Sequence, residues 1–238
     1  MTSGVGCYTS ALATGGRVWH AERHARRLAR DARLLGLGEV DEAAALRLLR
    51  ELAAPTRGGG DAKLRLEARR EAGALRLLAS SQPLEADPAT WLAISAPRRH
   101  GGASRSSRAK TTARALYDEA SEAARRAGAA EALLFDAAGF LVEGARTNVV
   151  VALRDGALVT PPLARGAQAG VARELLLERV GELAEADVAG AELAAARAIL
   201  AINAVRGVRA IVRLDGRAVG DGCAGAWAER LARAFAEP

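Results

Sequence analysis

The sequence predicts a mixed α+β fold arranged as two lobes, and three observations carry that expectation. Strand-length stretches of alternating polarity and helix-length stretches of 3.6 periodicity are interspersed through both halves of the 238 residues, unlike a doubly wound βαβ series. Several neighbouring strands are joined by glycine-bearing turns, which make antiparallel hairpins. HGGASRSSRA, residues 100–109, is rich in glycine and serine and reads as a linker. The expected division is a small domain over residues 1–105 and a larger one over 106–238.

In the first lobe, CYTSALA and VWH form a hairpin through Gly15 and Gly16. AERHARRLARDARLLGL has helical spacing, with Leu28, Ala32 and Leu35 on one face and Gly36 and Gly38 ending it. DEAAALRLLRELAA is a second helix with Asp41 as its N-cap and Pro55 beyond its end. AKLRLEARR alternates Leu64, Leu66 and Ala68 against Lys63, Arg65 and Glu67, the pattern of a half-buried strand. GALRLLASSQPL is its hairpin partner, and TWLAISAPRR is a further strand.

Beyond the linker, a helix is expected from about Thr112 to Ala127. EALLFDAAGFLVEG is a hairpin turning at Gly139, and NVVVALRDGALVTPP another turning at Asp155-Gly156. GVARELLLERVGEL is an amphipathic helix and DVAGAELAAARA a second one. AILAINAVRGVRAIVRLDGRAV returns to strands, and AGAWAERLARAFAE closes as a helix.

The net charge of +6 is spread out. Arginines alternate with glutamates, as in ARELLLERVGELAEAD, with no like-charge block or basic–aromatic alternation of the kind that tracks a phosphate backbone. Nucleic acid is therefore not expected as a partner; an anionic small molecule accounts for the charge equally well. Cys7 and Cys223 stand far apart and fit neither a disulfide framework nor a metal site. The start lacks the charged and apolar segments of a signal peptide, and no apolar run reaches membrane-spanning length. A cytoplasmic protein without membrane contact is expected.

Only Lys63 and Lys110 are lysines among 34 basic residues. A guanidinium stays protonated and is a poor nucleophile, whereas a desolvated ammonium can lose its proton near neutrality. Retained lysines in an arginine-rich chain are thus candidates for covalent chemistry. Lys63 belongs to the polar face of an alternating strand; Lys110 stands in RAKTTARALYDEA, where linker passes into helix.

GCYTSALATGGRVWHAERHARRLARDARLLGL, the Lys110 segment, EALLFDAAGFLVEGARTNVVV, DGALVTPPL, AGVARELLLE and INAVRGVRAIVRLDG follow one another in an order and spacing that resemble the fold-type IV (class IV) pyridoxal-phosphate enzymes. That family includes branched-chain and D-amino-acid aminotransferases and aminodeoxychorismate lyase. The resemblance runs from Gly6 to the C-terminus. It implies the two-domain D-amino-acid aminotransferase-like architecture, pyridoxal 5'-phosphate (PLP) as cofactor and a homodimer.

Carried over by position, Lys110 resembles the Schiff-base lysine and proton shuttle. Glu143 in LVEGARTN matches the acid that pairs with the pyridine nitrogen, where a carboxylate keeps the ring a good electron sink. Arg27 in HARRL matches the arginine that grips the phosphate, for which a guanidinium fork is suited. The backbone amides of Val171 and Ala172 match a helix start that binds the same phosphate. Ala204 stands where the family often has a threonine or serine, so only a main-chain contact is left there. Asn148 is expected to buttress the Glu143 segment.

Within the family, Thr9 replaces the glutamate usual in aminotransferases and resembles the lyase, as do KTTARALYD and NAVRGVRAI. The aminotransferase pattern places a tyrosine five residues after the lysine, where this chain has Ala115; Tyr117 is out of register, and Arg114 is the nearby candidate to face the cofactor's phenolic oxygen. The favoured implication is a lyase converting 4-amino-4-deoxychorismate to 4-aminobenzoate and pyruvate, towards folate. The alternatives are an aminotransferase for branched-chain or D-amino acids, and a divergent PLP-binding paralogue without this activity. A dicarboxylate substrate needs basic partners, and Arg98, Arg99, Arg105, Arg108 and Arg206 are candidates, with Thr9 and Arg114 also assigned to the substrate side. Two departures stand out: the family has a first strand before GCYTS, so that either the start is misassigned or trimmed or the small lobe lacks an edge strand, and Arg197 occupies the region of an acidic residue that precedes Asn203-Ala204 in the family.

Overall fold

The computed structural model describes residues 5–104, 107–220 and 224–236. Cys223 and Arg105 lie outside the described residues. The chain forms two units, each with its own core: residues 5–86 with 107–113, and residues 87–104 with 114–220 and 224–236. Around the division expected at 105, residues 87–104 group with the second unit and residues 107–113 with the first. Pairing explains it, because residues 90–95 join the second unit's sheet while Thr111 bridges Cys7 in the first.

In the first unit, β1 (Cys7–Thr14) turns at Gly15 and Gly16 into β2 (Arg17–Val18). Helices α1 (Ala21–Leu34) and α2 (Glu42–Ala53) follow, then a 3₁₀ turn begun by Ala54-Pro55, then β3 (Ala62–Glu71) and β4 (Ala74–Pro83). The sheet is antiparallel in the order β2-β1-β3-β4. Period-two alternation sends Cys7, Ala11 and Ala13 of β1 and Leu64, Leu66 and Ala68 of β3 into one core with Leu28, Ala32 and Leu49 of the helices. Asp41 caps α2 as expected, its carboxylate accepting the amide of Ala43 at 2.9 Å. Glu67 stays on the polar face with Arg65 and Arg69, as alternation requires, yet is buried there. It is buried opposite Tyr8, because Arg65 (2.8 Å) and Arg69 (2.5 Å) satisfy its two oxygens.

The second unit contains β5 (Thr90–Ser95), α3 (Ala115–Arg126), β6 (Glu131–Phe135), β7 (Leu141–Gly144), β8 (Asn148–Ala152) and β9 (Leu158–Thr160). A 3₁₀ turn at Leu163–Arg165 precedes α4 (Val171–Arg179), β10 (Leu183–Glu185), α5 (Gly190–Ala194), β11 (Ala198–Asn203), β12 (Gly207–Leu214), β13 (Arg217–Ala218) and α6 (Ala224–Phe235). Hydrogen bonding orders the strands β10-β9-β8-β11-β12-β5-β6-β7, with β13 beside β12. The sheet curls: next to its two end strands, Leu141 donates to the carbonyl of Val188 at 2.9 Å and Phe140 bridges Ala189.

Its inner face buries Trp91, Leu133, Val149, Val151, Ile199 and Ile211. On the other face, Tyr117, Ala120 and Ala124 of α3 cover Ala132 and Leu134. Burial on both faces explains why β6, β8 and β11 read as continuous apolar runs. Two helix expectations shorten. GVARELLLERVGEL stops at Arg179, since Leu183 is taken by a parallel ladder to Leu158, and DVAGAELAAARA keeps five helical residues.

Candidate active site

In the first unit, the peptide at Lys110 is fixed on both sides. Tyr8 donates its amide to the Lys110 carbonyl at 2.9 Å, and the Lys110 amide donates to Asp31 Oδ2 at 2.9 Å. The Lys110 Nζ lies 5.3 Å from the centroid of the Tyr8 ring, which also carries the Arg65 guanidinium at 3.6 Å. Asp31 is fully buried and accepts from Arg27 Nε at 3.4 Å and Arg30 Nε at 3.1 Å. It therefore joins the two residues that the sequence assigns to amine and phosphate. That carboxylate was not foreseen, although an acid on the stripe of Leu28 and Ala32 is a legible anomaly.

Arg27 is 7% exposed, and its Nη2 is buried with no hydrogen-bond partner among the described residues. A buried guanidinium nitrogen left without an acceptor suits an anion brought by a ligand. His24, one turn earlier on α1, is fully buried, with Nδ1 2.6 Å from Thr9 Oγ1. Here an expectation is corrected. Thr9 is a core residue whose hydroxyl is taken by His24, because β1 alternation turns it inward with Cys7 and Ala11.

Burial lowers the His24 pKa from 6.5 to about 3, and the nearby charges of Arg27, His20 and Lys110 push the same way. The unfolded chain thus binds a proton that the folded protein refuses until about pH 3. His24 contributes full stability above 6.5, and that contribution is lost as pH falls from 6.5 towards about 3. Urea midpoints measured across that window should fall more steeply for the native protein than for His24→Gln; parallel slopes would contradict this assignment.

In the second unit, Glu143 is buried at 3% exposure among donors from three segments. Its Oε1 accepts the Tyr117 hydroxyl at 2.7 Å, and its Oε2 accepts Asn148 Nδ2 at 3.2 Å and the Gln168 amide at 3.0 Å. Asn148 also donates to the Gln168 carbonyl at 2.9 Å, in keeping with the buttress expected of it. Carboxylates that accept several hydrogen bonds are held in their charged form. Such a group suits the protonated nitrogen of a heterocycle. Tyr117, set aside on register, is thus a contact of the central acid.

A model of the family described as amino-transferase class IV matches residues 6–214. The chain belongs to the class IV amino-transferases. Their cofactor is PLP, and one solved relative, a hypothetical aminotransferase from Mycobacterium tuberculosis, is PLP-bound; it is 24% identical, with 97% of this chain and 88% of that one covered at a TM-score of 0.83. Branched-chain amino acid aminotransferase of Escherichia coli shares 20% identity over 97% of this chain and 84% of its own, with a TM-score of 0.84. A provisionally named 4-amino-4-deoxychorismate lyase of Legionella pneumophila shares 20% over 90% and 84%, with a TM-score of 0.78. The fold-type IV architecture expected from the sequence is thereby established. No curated protein matches.

For a class IV enzyme the remaining positions sort as follows. Val171 and Ala172 open α4 behind Gly170, which provides no side-chain cap, and among the described residues their amides meet no acceptor. Gly170 is required there, because a Cβ would stand 2.1 Å from Asn148 Oδ1. Uncapped amides at a helix start fit a phosphate, as does the Arg27 nitrogen. Ala204 lies in the turn between β11 and β12, where Asn203 Oδ1 accepts the amides of Val205 (2.9 Å) and Arg206 (2.7 Å). The residues present therefore fit PLP in each unit.

The substrate-side arginines have protein partners instead. Arg114 donates to the Ala145 carbonyl at 2.9 Å and lies 3.4 Å from Asp118, bracing the strand end beyond Glu143. Arg206 lies 4.0 Å from Asp87, which also accepts from Arg209 and Trp91. Arg98 pairs with Glu119 at the surface, Arg99 lies over Phe135 at 5.8 Å, and Arg108 is exposed. Among the described residues, no cluster of side chains could hold a metal ion, and no helix is long and apolar enough to cross a membrane.

Proposed function

We propose that this class IV enzyme is a PLP-dependent lyase that converts 4-amino-4-deoxychorismate to 4-aminobenzoate and pyruvate. Its strongest support is the position five residues beyond Lys110. Ala115 stands where the aminotransferase pattern has a phenol, and the nearby phenol of Tyr117 is committed to Glu143. The Legionella protein bearing that lyase name adds weaker support.

PLP, when bound, supplies an electron sink. Lys110 would hold the cofactor through its amine, its Nζ would take the proton from the ring carbon that bears the substrate's amine, and Lys110 or a water would give a proton to the departing enolpyruvyl fragment. Glu143 would present its negative charge to the pyridine nitrogen; Arg27 in the first unit, and the α4 amides in the second, each suit a phosphate. The two products contain every atom of the substrate, so no acceptor is consumed.

That balance defines the test. Purified enzyme with PLP should form 4-aminobenzoate and pyruvate in equal amounts with no keto acid added. Failure to do so, together with amino transfer from branched-chain or D-amino acids to an added keto acid, would favour the second reading. That reading draws on a fold IV transaminase, CpuTA1, of Curtobacterium pusillum, 26% identical over 96% of this chain and 84% of its own, with a TM-score of 0.80.

A further inference from the structure

Behind Glu143 runs a one-way chain of hydrogen bonds that reaches the loop ahead of the lysine segment. The Gly102 amide donates to His100 Nδ1 at 3.0 Å. An amide can only donate, so Nδ1 is the unprotonated nitrogen and the neutral ring carries its proton on Nε2. That Nε2 lies 3.2 Å from the Tyr117 oxygen and donates to it. The phenol's single proton is left for Glu143 Oε1 at 2.7 Å. His100 is 6% exposed and Tyr117 8%. The loop is fitted to this arrangement, for Gly166, at φ 102°, would bring a Cβ to 2.6 Å from His100 Cε1.

We infer that Tyr117 and His100 are positioning residues that hold Glu143 as an oriented carboxylate for the cofactor's ring nitrogen. The inference rests on the reading of Glu143 as that partner. An apolar side chain would fill the space under α3 without needing partners. A phenol whose donor and acceptor sites are both assigned instead aims one charge-assisted hydrogen bond at the acid.

Burial raises the Tyr117 pKa, and the Glu143 charge and hydrogen bond add to this, while a Gln168 side-chain bond and Arg114 oppose. The phenol therefore stays a donor. Burial lowers the His100 pKa against the pull of Asp136, so the ring stays neutral. The other charges nearby are already engaged: Arg114 lies 5.0 Å from the Tyr117 ring, Arg165 holds Asp136 at 2.9 Å, and Glu131 is bound by Thr147 at 2.8 Å.

The probe is PLP itself, titrated into the full-length protein from acid to mildly alkaline pH, with circular dichroism confirming the fold of each variant. Affinity falls on the acid side as Glu143 takes up a proton. Tyr117→Phe removes one donor to the carboxylate, so this limb should move up by about one pH unit, the worth of one hydrogen bond to a charged group. His100→Gln keeps an N–H donor and should leave the limb in place, whereas His100→Leu should move it in the direction of Tyr117→Phe by a smaller amount. Coincident limbs for Tyr117→Phe and the native protein would overturn the inference, as would equal behaviour of the two His100 variants. If the native protein binds no PLP at any pH, the reading of Glu143 falls and takes the inference with it. PLP binding by the native protein, with the Tyr117→Phe limb unmoved, sinks the inference alone.

Discussion

Replacement of Lys110 by arginine should lower turnover by about 10⁴-fold or more, since proton transfer by a positioned side chain is alone worth about 10²–10⁴ and the nucleophilic amine is lost with it. The variant retains the positive charge and both main-chain bonds at position 110, to Asp31 and to Tyr8, so the fold should survive. What disappears is an amine that can give up its proton; a guanidinium cannot. The scarcity of lysine makes the experiment decisive. Borohydride treatment of the PLP-loaded protein fixes the cofactor to whichever side-chain amine carries it, and the candidates are Lys63 and Lys110. Peptide mass mapping should find the added mass on the Lys110 peptide and none there in Lys110→Arg. Label on Lys63, or unchanged turnover in the variant, would refute the assignment.

Glu143→Gln should cost about 10²–10³-fold in kcat, the range found when one preorganised electrostatic group is removed from a site. The substitution conserves shape but turns an all-acceptor group into one that presents an N–H₂. Asn148 Nδ2 and the Gln168 amide both donate towards Oε2, so the new donor meets donors unless the amide turns to face Tyr117 instead. Either way one buried polar group loses its partner, at about 1–3 kcal/mol of stability. Glu143→Asp keeps the charge on a shorter arm and should retain more activity. Steady-state kinetics beside urea midpoints separates the two effects. Equal kcat for the native protein and Glu143→Gln would remove the acid from the chemistry, whatever the midpoints show.

Much of the fold was legible because its signals are local. The Gly15-Gly16 turn, the Asp41 cap and the alternation of β3 each need only a few neighbouring residues. Where the reading erred, a distant partner decided. Leu183 leaves its expected helix for a ladder with Leu158, and residues 90–95 join strands more than a hundred positions away in β12.

The same division runs through the site. Motif order was enough to place the chain in its family, and it put forward Lys110, Glu143 and Arg27 as candidates because the chemistry restricts which residue types can serve. Thr9, Arg114 and Arg206 were harder: each is polar, and polarity does not tell whether a side chain faces a ligand or a protein partner. Folding answered by giving them His24, Ala145 and Asp87. Asp31, Tyr117 and His100 carry no motif at all. Their importance comes from hydrogen bonds across 79, 26 and 17 positions of chain, geometry that exists only once burial has removed water as the competing partner. The sequence by itself determined the family and the residue types that its chemistry allows; the tertiary structure decided which buried neighbours surround them, because those contacts form only once distant segments pack together.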